Sequence, residues 1–488
     1  MTASSLTRRM LLRAGVIGLA GTIGAKLSGQ GAPDHPLPSY VADVDGDGRL
    51  TDADIQVMEQ ALLTSRGFEL TPNAGFDFRA DVFGLGEIDQ AAVNAVLSTI
   101  TKLGMGVLDE PRPITVAWHY GWHDVRRRPL LQQTVRYLDG DYLSNDSRVE
   151  EGFNRLKNEF GITVDAIGWI PPRITPTILP NFQSGYFSAS NAATRYVALL
   201  YENTLALPTV AGRIDFRSSQ VRRLLRNDFA AMAGTLVEPR DRYATRLFLL
   251  DGRPVMFIFG SHSWGLNPAD EVEFGYLADT IGEAREAFHK VYGEFPYLVG
   301  EELLQMASTT TPSTDRVKRA ELFDALYSYH CANLKPTATT FSISSAYGSL
   351  QQRRLERATI AIRRLRNRFH GKKLLIIPSL AGGFAKHGLP ILDTTGQAYA
   401  DFLKQLTGYY TKTYLRQEWP ASVGTAALPA PIYTVGSWNE EFEGHAVFPA
   451  QFNLALRNSR LAGFDFAMAL KQVFGWNHYA LRNIPSGP

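Results

Sequence analysis

The sequence predicts an α/β protein, a (β/α)8 TIM barrel that follows a small helical module. From Asp109 onward, short runs rich in β-branched and aromatic residues alternate with amphipathic stretches, as in parallel sheets whose strands are joined by helices. Eight such runs occupy roughly 380 residues, which suits a barrel with enlarged loops. A doubly wound open sheet is the alternative, but no glycine-rich phosphate loop follows the first run.

The eight predicted strands are short and have mainly aliphatic interiors. They are Ile114–Trp118, Val164–Trp169, Tyr196–Tyr201, Pro254–Phe259, Tyr297–Gly300, Ala325–Tyr329, Leu374–Pro378 and Tyr433–Ser437. Apolar residues at helical spacing predict the intervening helices. These are Arg148–Phe160, Gln220–Leu236, Ala278–Tyr292, Leu355–Phe369 and Ala398–Tyr414.

Composition excludes several classes of protein. Of the 488 residues, 45% are hydrophobic, which is ample for a large core. The formal net charge of +2 gives no general basis for binding nucleic acid, so the arginines of Leu355–Phe369 are interpreted as the solvated face of an outer helix. Cys331 is the only cysteine, and therefore neither an intramolecular disulfide nor a cysteine metal site can form.

Residues 1–29 are predicted to be an export signal of the twin-arginine (Tat) type. Arg8 and Arg9 precede an apolar segment from Ala14 to Ala25, which is too short and too rich in glycine for a comfortable transmembrane helix. Cleavage after Ala25 and an uncleaved anchor are both open. The expected location is periplasmic, secreted or at the cell surface, without a stable membrane span.

Residues 30–105 are predicted to form the helical module, and its first loop has the ligand spacing of an EF-hand. The predicted calcium ligands are Asp43, Asp45, Asp47, the carbonyl of Arg49, and Asp54. Gly48 at the sixth position allows the sharp turn that such loops need. Oxygen ligands at this spacing suit Ca²⁺, so we predict one structural calcium ion here and no cofactor for catalysis.

A second loop, from Asp81 to Ala92, is a decayed copy of the first. It keeps Asp81 and Gly86 but has Phe83, Leu85 and Ala92 where ligands should stand, so weak or no calcium binding is expected. Paired loops that are each followed by one helix resemble a dockerin module, which implies a cohesin-like partner. A calcium-stabilised cap within the same chain is the alternative.

Aromatic, acidic, amide and histidine residues recur where the predicted strands end. The substrate-binding candidates among them are Trp118, Tyr120, Glu202, His262, Tyr329, Trp438 and Asn439. Because barrel active sites form at the carboxyl ends of the strands, we expect these side chains to line one cleft.

The last predicted strand leads into Trp438-Asn439-Glu440-Glu441-Phe442-Glu443. Paired carboxylates beside an aromatic ring suit sugar cleavage, because the ring stacks on the pyranose while the acids transfer protons. An acidic surface loop is the alternative. In a continuing strand Glu440 and Glu443 would point to opposite faces, so the chain must turn between them to bring both to one glycosidic bond.

This stretch is similar to the Asn-Glu-Trp-His-Glu-Gly motif of glycoside hydrolase family 99, with Glu441 and Phe442 where the family has Trp and His. Three further stretches resemble that family's strand motifs in the same order, and the resemblance spans roughly Pro113 to Pro449. They are Leu250-Asp251-Gly252-Arg253-Pro254-Val255, Phe323-Asp324-Ala325-Leu326-Tyr327-Ser328-Tyr329 and Ile377-Pro378-Ser379.

The resemblance implies a barrel glycosidase that cleaves α-glycosidic bonds, with α-mannosidic bonds as the specific case, in a polysaccharide or glycan. It implies that Glu440 assists deprotonation of the sugar's own 2-hydroxyl, which attacks the anomeric carbon, and that Glu443 protonates the leaving oxygen. Such substrate assistance is an exception to the usual two-carboxylate scheme and retains configuration. The competing hypothesis is a non-catalytic carbohydrate-binding or polysaccharide-assembly protein.

Overall fold

The structure is a computed structural model, and it describes the chain in segments. These are residues 37–64, 79–80, 82, 88–107, 112–123, 135–137, 142–242, 246–302, 313–329, 341–342, 374–380, 384–386, 389–393, 396–411, 430–439, 450–452 and 465–477. The predicted export signal, most of the second calcium loop, the Leu355–Phe369 helix, and both Glu440 and Glu443 lie outside the described residues.

The chain divides into two compact units, residues 1–111 with 471–476 and residues 112–470 with 477–488. The predicted division into residues 1–29, 30–105 and 106–488 stays a prediction.

The smaller unit contains three described helices and a two-stranded antiparallel ribbon. They are α1 (Ser39–Ala42), α2 (Asp52–Thr64), α3 (Gln90–Leu103), β1 (Arg49–Leu50) and β2 (Gly106–Val107). Helix α3 begins at Asp89, whose carboxylate accepts a hydrogen bond from the Ala92 N–H, and it ends at Gly104 with a φ of 85°. Val41, Met58 and Val96 are buried together and form part of its core.

The larger unit is a parallel eight-stranded barrel, as the sequence predicts. Its strands are β3 (Ile114–His119), β5 (Val164–Trp169), β6 (Tyr196–Glu202), β9 (Arg253–Phe259), β10 (Tyr297–Gly300), β11 (Ala325–Tyr327), β13 (Leu375–Ile377) and β16 (Ile432–Ser437). From β3 to β13 each strand pairs with the next in that order, and β16 pairs with β3. All eight predicted strands are confirmed to within a few residues at each end.

The eighth strand meets the seventh and closes the barrel. Ser379, just after β13, forms a parallel bridge with Thr434 of β16. The Leu380 N–H donates to the Thr434 carbonyl at 2.6 Å, and the Thr434 N–H donates to the Pro378 carbonyl at 3.0 Å. The carboxyl ends of all eight strands therefore lie at one end of a closed barrel.

Helices follow most of the barrel strands. In the larger unit they are α4 (Ser147–Glu159), α5 (Ile178–Asn181), α6 (Asn203–Ala206), α7 (Ser219–Arg242), α8 (Glu271–Tyr292), α9 (Thr314–Glu321) and α10 (Gly396–Tyr409), and α11 (Asp465–Phe474) spans the division between the units. Helices α7 and α8 pack against each other. A membrane crossing needs a long apolar helix, and none of the described helices is one.

Shorter strands lie outside the main path of the barrel. They are β4 (Val135–Tyr137) paired with β17 (Ala450–Phe452), β7 (Arg246–Leu247), β8 (Leu249–Leu250), and a three-stranded sheet of β12 (Phe341–Ser342), β15 (Leu389–Asp393) and β14 (Phe384–Lys386). Strand β7 pairs in parallel with the first two residues of β6, and β8 forms a hairpin with β9.

Aromatic side chains fill the inside of the barrel. Trp118 of β3, Phe257 of β9 and Tyr327 of β11 meet edge to face, with 5.1 to 5.4 Å between ring centroids. All three side chains are fully buried. Large rings in this geometry fill the interior, so the barrel is a packed core that can support a cleft at its carboxyl end.

Candidate functional site

A pair of tyrosines lies two residues nearer the carboxyl end of the barrel than Trp118 and Tyr327. Tyr120 and Tyr329 form a hydroxyl-to-hydroxyl hydrogen bond between the ends of the first and sixth strands. Tyr120 lies against Gly168, where an added Cβ would be 2.6 Å from the tyrosine ring. A glycine is needed there because any side chain would displace Tyr120. The structure thus brings two predicted substrate-binding residues together.

Two partly exposed rings flank this pair. Trp122 stacks on Tyr120 with 4.0 Å between ring centroids and an interplanar angle of 8°. Phe259, at the end of β9, contacts Tyr329 edge to face at 4.7 Å. Tyr120 and Tyr329 are buried, whereas Trp122 and Phe259 retain solvent exposure. They are therefore the aromatic surfaces of this cluster on which a sugar ring could stack.

Asn439 fastens the end of β16 to the end of β3. Its carboxamide accepts a hydrogen bond from the Tyr120 N–H at 2.8 Å and donates to the Tyr120 carbonyl at 2.9 Å. The carboxamide also donates to the Tyr142 hydroxyl at 3.0 Å. The His123 Nε2 lies 3.2 Å from the backbone carbonyl oxygen of Asn439. Asn439 is fully buried and its hydrogen-bonding capacity is used within the protein.

The preceding residue, Trp438, also joins β16 to β3. Its backbone N–H donates to the Trp118 carbonyl at 2.6 Å, and its ring contacts Phe153 of α4 edge to face. Trp118 and Trp438 are both fully buried, so neither ring offers a face to a sugar in this structure. Their predicted substrate contacts stay predictions, while the observed role of both residues is packing.

A buried cluster of charges supports the wall behind β3 and β5. The Lys157 ammonium is 2.9 Å from the Asp165 carboxylate, which also accepts a hydrogen bond from the Arg195 guanidinium at 2.9 Å. Lys157 donates to His119 Nδ1 at 2.7 Å, which leaves the His119 Nε2–H facing Glu150 at 3.3 Å. Burial opposes ionisation of Asp165, but the Arg195 and Lys157 cations hold its pKa below the ordinary value.

This charge cluster reaches the end of the last barrel strand. The Lys157 nitrogen lies 5.4 Å from the centre of the Trp438 ring and 5.3 Å from that of Tyr186. Tyr186 in turn donates a hydrogen bond to Asp165 at 2.6 Å. The Trp438 ring therefore lies against a cation that is itself held by buried partners.

Acidic residues stand at the ends of the third and fifth strands. Glu202 pairs in register with Phe259, and Gly300, the last residue of β10, pairs with Leu326. On its other side Gly300 pairs with Ile258 of β9. Continuing both registers by one residue places Glu301 between Tyr327 and Phe259. Burial, and then the carboxylates of Glu301 and Glu202, raise the pKa of the Tyr327 hydroxyl well above its ordinary value. Both acids therefore lie near the inward-facing Tyr327 side chain.

Glu301 is the residue of this group that the sequence analysis did not single out for binding. Only 12% of its side chain is exposed, and its carboxyl accepts the Gly260 N–H at 2.6 Å. Burial raises the pKa of Glu301 to about 8. The next residue, Glu302, instead forms a buried ion pair with Arg319 at 2.9 Å. The signal in the sequence was the pair of acids directly after a strand.

His262 is the most exposed of the predicted binding residues. Its Nδ1 lies 3.9 Å from the Glu301 carboxyl, and 44% of its side chain is exposed. Burial of the remainder, together with the Arg319 and Arg213 cations, lowers the pKa of His262. The ring is thus predominantly neutral at neutral pH and can both donate and accept hydrogen bonds.

The Asp43–Asp54 loop of the smaller unit is a separate candidate site. Carboxylate oxygens of Asp43, Asp45 and Asp47 all lie within 4.8 Å of one another. Gly46 and Gly48 have φ values of 80° and 88°, and both donate backbone N–H groups to Asp43. Three hard oxygen donors at this spacing fit the ligand chemistry of Ca²⁺.

Asp54, the last predicted ligand, holds the backbone of that loop. It is fully buried, and its two oxygens accept backbone N–H groups of Val44, Asp45 and Thr51 at 2.7 to 3.2 Å. Burial raises the pKa of Asp54 despite these hydrogen bonds. The loop thus brings together the carboxylates of three predicted ligands. The ligand role of Asp54 stays a prediction.

Comparison with known proteins gives similarity of structure alone. No family model and no curated protein matches the sequence. One similar solved structure is a glycoside hydrolase-like protein, at 13% identity and a TM-score of 0.49, covering 75% of this chain and 94% of that one. Another is the GH99 endo-α-mannosidase from Bacteroides thetaiotaomicron, at 15% identity and a TM-score of 0.45, covering 74% and 95%. An endo-β-1,4-glucanase from Xanthomonas axonopodis pv. citri has 10% identity and a TM-score of 0.39, covering 75% and 99%.

Proposed function

We propose that this protein is an exported glycoside hydrolase that cleaves α-glycosidic bonds, α-mannosidic ones in particular, in a polysaccharide or glycan. The observation that carries the proposal is the attachment of Asn439 to the Tyr120 backbone at the carboxyl end of the barrel. The residues that follow Asn439 in the sequence carry three carboxylates within four positions. A fixed strand end directly before them provides the preorganisation that proton transfer requires.

In this proposal Glu440 is the base and Glu443 is the acid. Glu440 takes the proton of the sugar 2-hydroxyl as O2 attacks the anomeric carbon, and the bond to the leaving oxygen breaks as Glu443 protonates that oxygen. Water then opens the anhydro-sugar, giving its proton to Glu443, while O2 recovers a proton from Glu440. Two inversions at one carbon amount to net retention. O2 must approach from the face opposite the leaving oxygen, which an α-mannoside allows.

The rest of the cleft supports sugar binding in the proposal. Trp122 and Phe259 provide partly exposed rings, and Glu202 and His262 provide polar groups at neighbouring strand ends. Pockets for carbohydrates combine apolar surfaces with a few polar groups that fix orientation. Tyr120 and Tyr329 pack against the Trp122 and Phe259 rings and hold them in place.

The experiment that tests the proposal is digestion of a panel of α-linked polysaccharides by the wild type and by Glu440→Gln and Glu443→Gln. Each substitution keeps the size of the side chain but removes its acid–base function, so turnover is expected to fall by a factor of about 10² or more with binding retained. The exposed Glu294→Gln is the matched control. A wild type that binds glycans and cleaves none would support the non-catalytic alternative.

The smaller unit is proposed to bind one structural calcium ion. Asp43, Asp45 and Asp47 would hold it, with the Arg49 carbonyl as a further oxygen ligand, and the ion would supply only cross-linking of the loop. Asp54 is proposed as the last ligand of the loop, and its hydrogen bonds to Val44 and Thr51 also fix the backbone that carries the others.

The twin-arginine signal is proposed to direct export of the folded chain. Replacing both Arg8 and Arg9 by lysine should leave the protein in the cytoplasm of an expressing bacterium. Export that continues unchanged would contradict this assignment.

A further inference from the structure

The ends of the third to sixth strands form one inward-facing layer of the barrel. In register these residues are Glu202, Phe259, Glu301 and Tyr327. The hydroxyl of Tyr327 is fully buried and has no hydrogen-bond partner among the described residues. An unpaired buried hydroxyl costs free energy, so its presence beside two acids points to a polar group that is delivered from outside.

Glu301 is held rigidly in this layer. The Gly260 N–H donates to its Oε2 at 2.6 Å, and the Tyr329 N–H also donates to the carboxyl. Gly260 has a φ of 69°, a left-handed conformation that favours glycine, and an added Cβ would meet the Thr204 side chain at 2.5 Å. The backbone at the ends of the fourth and sixth strands is thus shaped to fix this one carboxyl group.

No lysine or arginine pairs with Glu301 among the described residues, which distinguishes it from its neighbour Glu302. A carboxylate that is buried without a cation is costly, whereas a neutral carboxyl group can both donate and accept hydrogen bonds. The remaining 12% exposure of the side chain leaves it reachable from the cleft. These are the properties of a group that binds a neutral hydroxyl.

We propose that Glu301 is a substrate-binding residue of the cleft, which donates the proton of its neutral carboxyl group in a hydrogen bond to a hydroxyl of a neutral sugar. The proposal rests on the proposed glycosidase function and adds a residue to it. Ketosteroid isomerase uses a neutral carboxyl group in a comparable way, as a donor in an apolar site. Ionisation of Glu301 would remove the donor and leave a buried carboxylate with no lysine or arginine paired to it among the described residues.

The groups that face Glu301 determine when this binding should fail. From the turn after β9 there is His262, and from β11 there is the Tyr327 hydroxyl. Glu202 of β6 lies two strands away and acts on the same Tyr327 hydroxyl. Glu302, the residue after Glu301, is balanced by Arg319. Raising pH through about 8, the value to which burial raises the pKa of Glu301, ionises the carboxyl group. Tyr327 stays neutral there, because its pKa is raised well above the ordinary value.

The test is calorimetric binding of a neutral α-mannan to the Glu443→Gln protein, which removes turnover, across a pH series from about 6 to about 10. Affinity should fall about tenfold per pH unit once Glu301 is ionised. Glu301→Gln, an amide that still donates, should remove this pH dependence. Glu301→Ala should weaken binding below about pH 8, where the parent's carboxyl group is neutral, and should also lack the alkaline decline. The exposed Glu286→Gln on α8 is the matched control and should behave like its parent.

Each result has a definite meaning. An alkaline decline that persists in Glu301→Gln, or Glu301→Ala with the parent's affinity below about pH 8, overturns the role of Glu301 and leaves the glycosidase proposal standing. A wild type that neither binds nor cleaves mannan or any other polysaccharide of the panel overturns both. A ¹³C-carboxyl resonance that is absent from Glu301→Gln and titrates near pH 4 instead of near 8 also overturns the inference, with no ligand required.

Discussion

The side chain of Asn439 makes two hydrogen bonds with the backbone of Tyr120, 319 residues earlier in the chain. One carboxamide thus joins the ends of the last and first barrel strands. The acids proposed to carry catalysis follow this junction in the sequence, so the stability of the junction and the activity should change together.

Replacing Asn439 by alanine should therefore lower both the free energy of unfolding and the glycosidase activity. The Tyr120 N–H and carbonyl would each lose a buried hydrogen bond, at a cost of about 1–3 kcal/mol each in the free energy of unfolding. Denaturant unfolding measures this cost. Turnover should fall even where the variant is fully folded. The exposed Asn267→Ala should change the free energy of unfolding by no more than about 0.5 kcal/mol.

The Lys157–Asp165–Arg195 cluster should make a large contribution to the free energy of unfolding, and this contribution should be lost in acid. Asp165→Asn removes the carboxylate that pairs with both Arg195 and Lys157, and we expect a loss of about 3–5 kcal/mol at neutral pH. Burial already lowers the pKa of Lys157, and Glu150 is its remaining acidic neighbour in the variant. Because the folded-state pKa of Asp165 is depressed, its stabilisation is complete above the unfolded pKa of about 3.9 and declines as pH falls further.

Its control is Asp146→Asn on the surface. Asp146 caps α4 and meets the highly exposed Arg148 at 3.2 Å, and asparagine caps helices equally well. The change should cost at most about 1 kcal/mol. A similar loss for both variants would contradict the role of burial in the Asp165 cluster.

The barrel itself was predictable because each strand is a local run of β-branched and aromatic residues. Ile114, Val164 and Tyr297 begin their strands where the pattern begins. Register, by contrast, is set by contacts between distant segments. The sequence therefore predicted polar residues at the strand ends but not that Trp118 and Trp438 turn into the core.

The same limit applies to the groups that the sequence analysis missed. Glu301 became a candidate only when its neighbours on β9 and β11 were known, and Lys157 only when Asp165, His119 and Trp438 were seen around it. Local patterns show residue types, whereas pKa shifts and buried pairs depend on what the fold places nearby.

Trp122 should contribute to sugar binding through its partly exposed ring. Trp122→Ala is expected to raise KM through loss of stacking worth about 1 kcal/mol or more, and Trp122→Phe should retain part of it. Steady-state kinetics on the best polysaccharide of the panel measures the effect. Tyr276→Ala, on the outer helix α8, is the control, and an equal rise in KM for both would argue against a binding role.

Calcium should stabilise the smaller unit. At a concentration one hundred times Kd, an ion that binds only the folded state adds about 2.7 kcal/mol, so chelation should lower Tm measurably. Asp45→Asn keeps an acceptor for the Asp47 N–H but loses a charged ligand, and its Tm should respond far less to calcium. The exposed Glu59→Gln should respond like the wild type. A wild-type Tm that ignores chelator would contradict the site.

The most direct test of the central claim is proton NMR of the first sugar released from an α-linked polysaccharide by the wild type, Glu440→Gln and Glu443→Gln. The account predicts that the wild type releases the α-anomer first and that both variants lose turnover by a factor of about 10² or more. Initial release of the β-anomer, or a variant that cleaves as fast as the wild type, would contradict it.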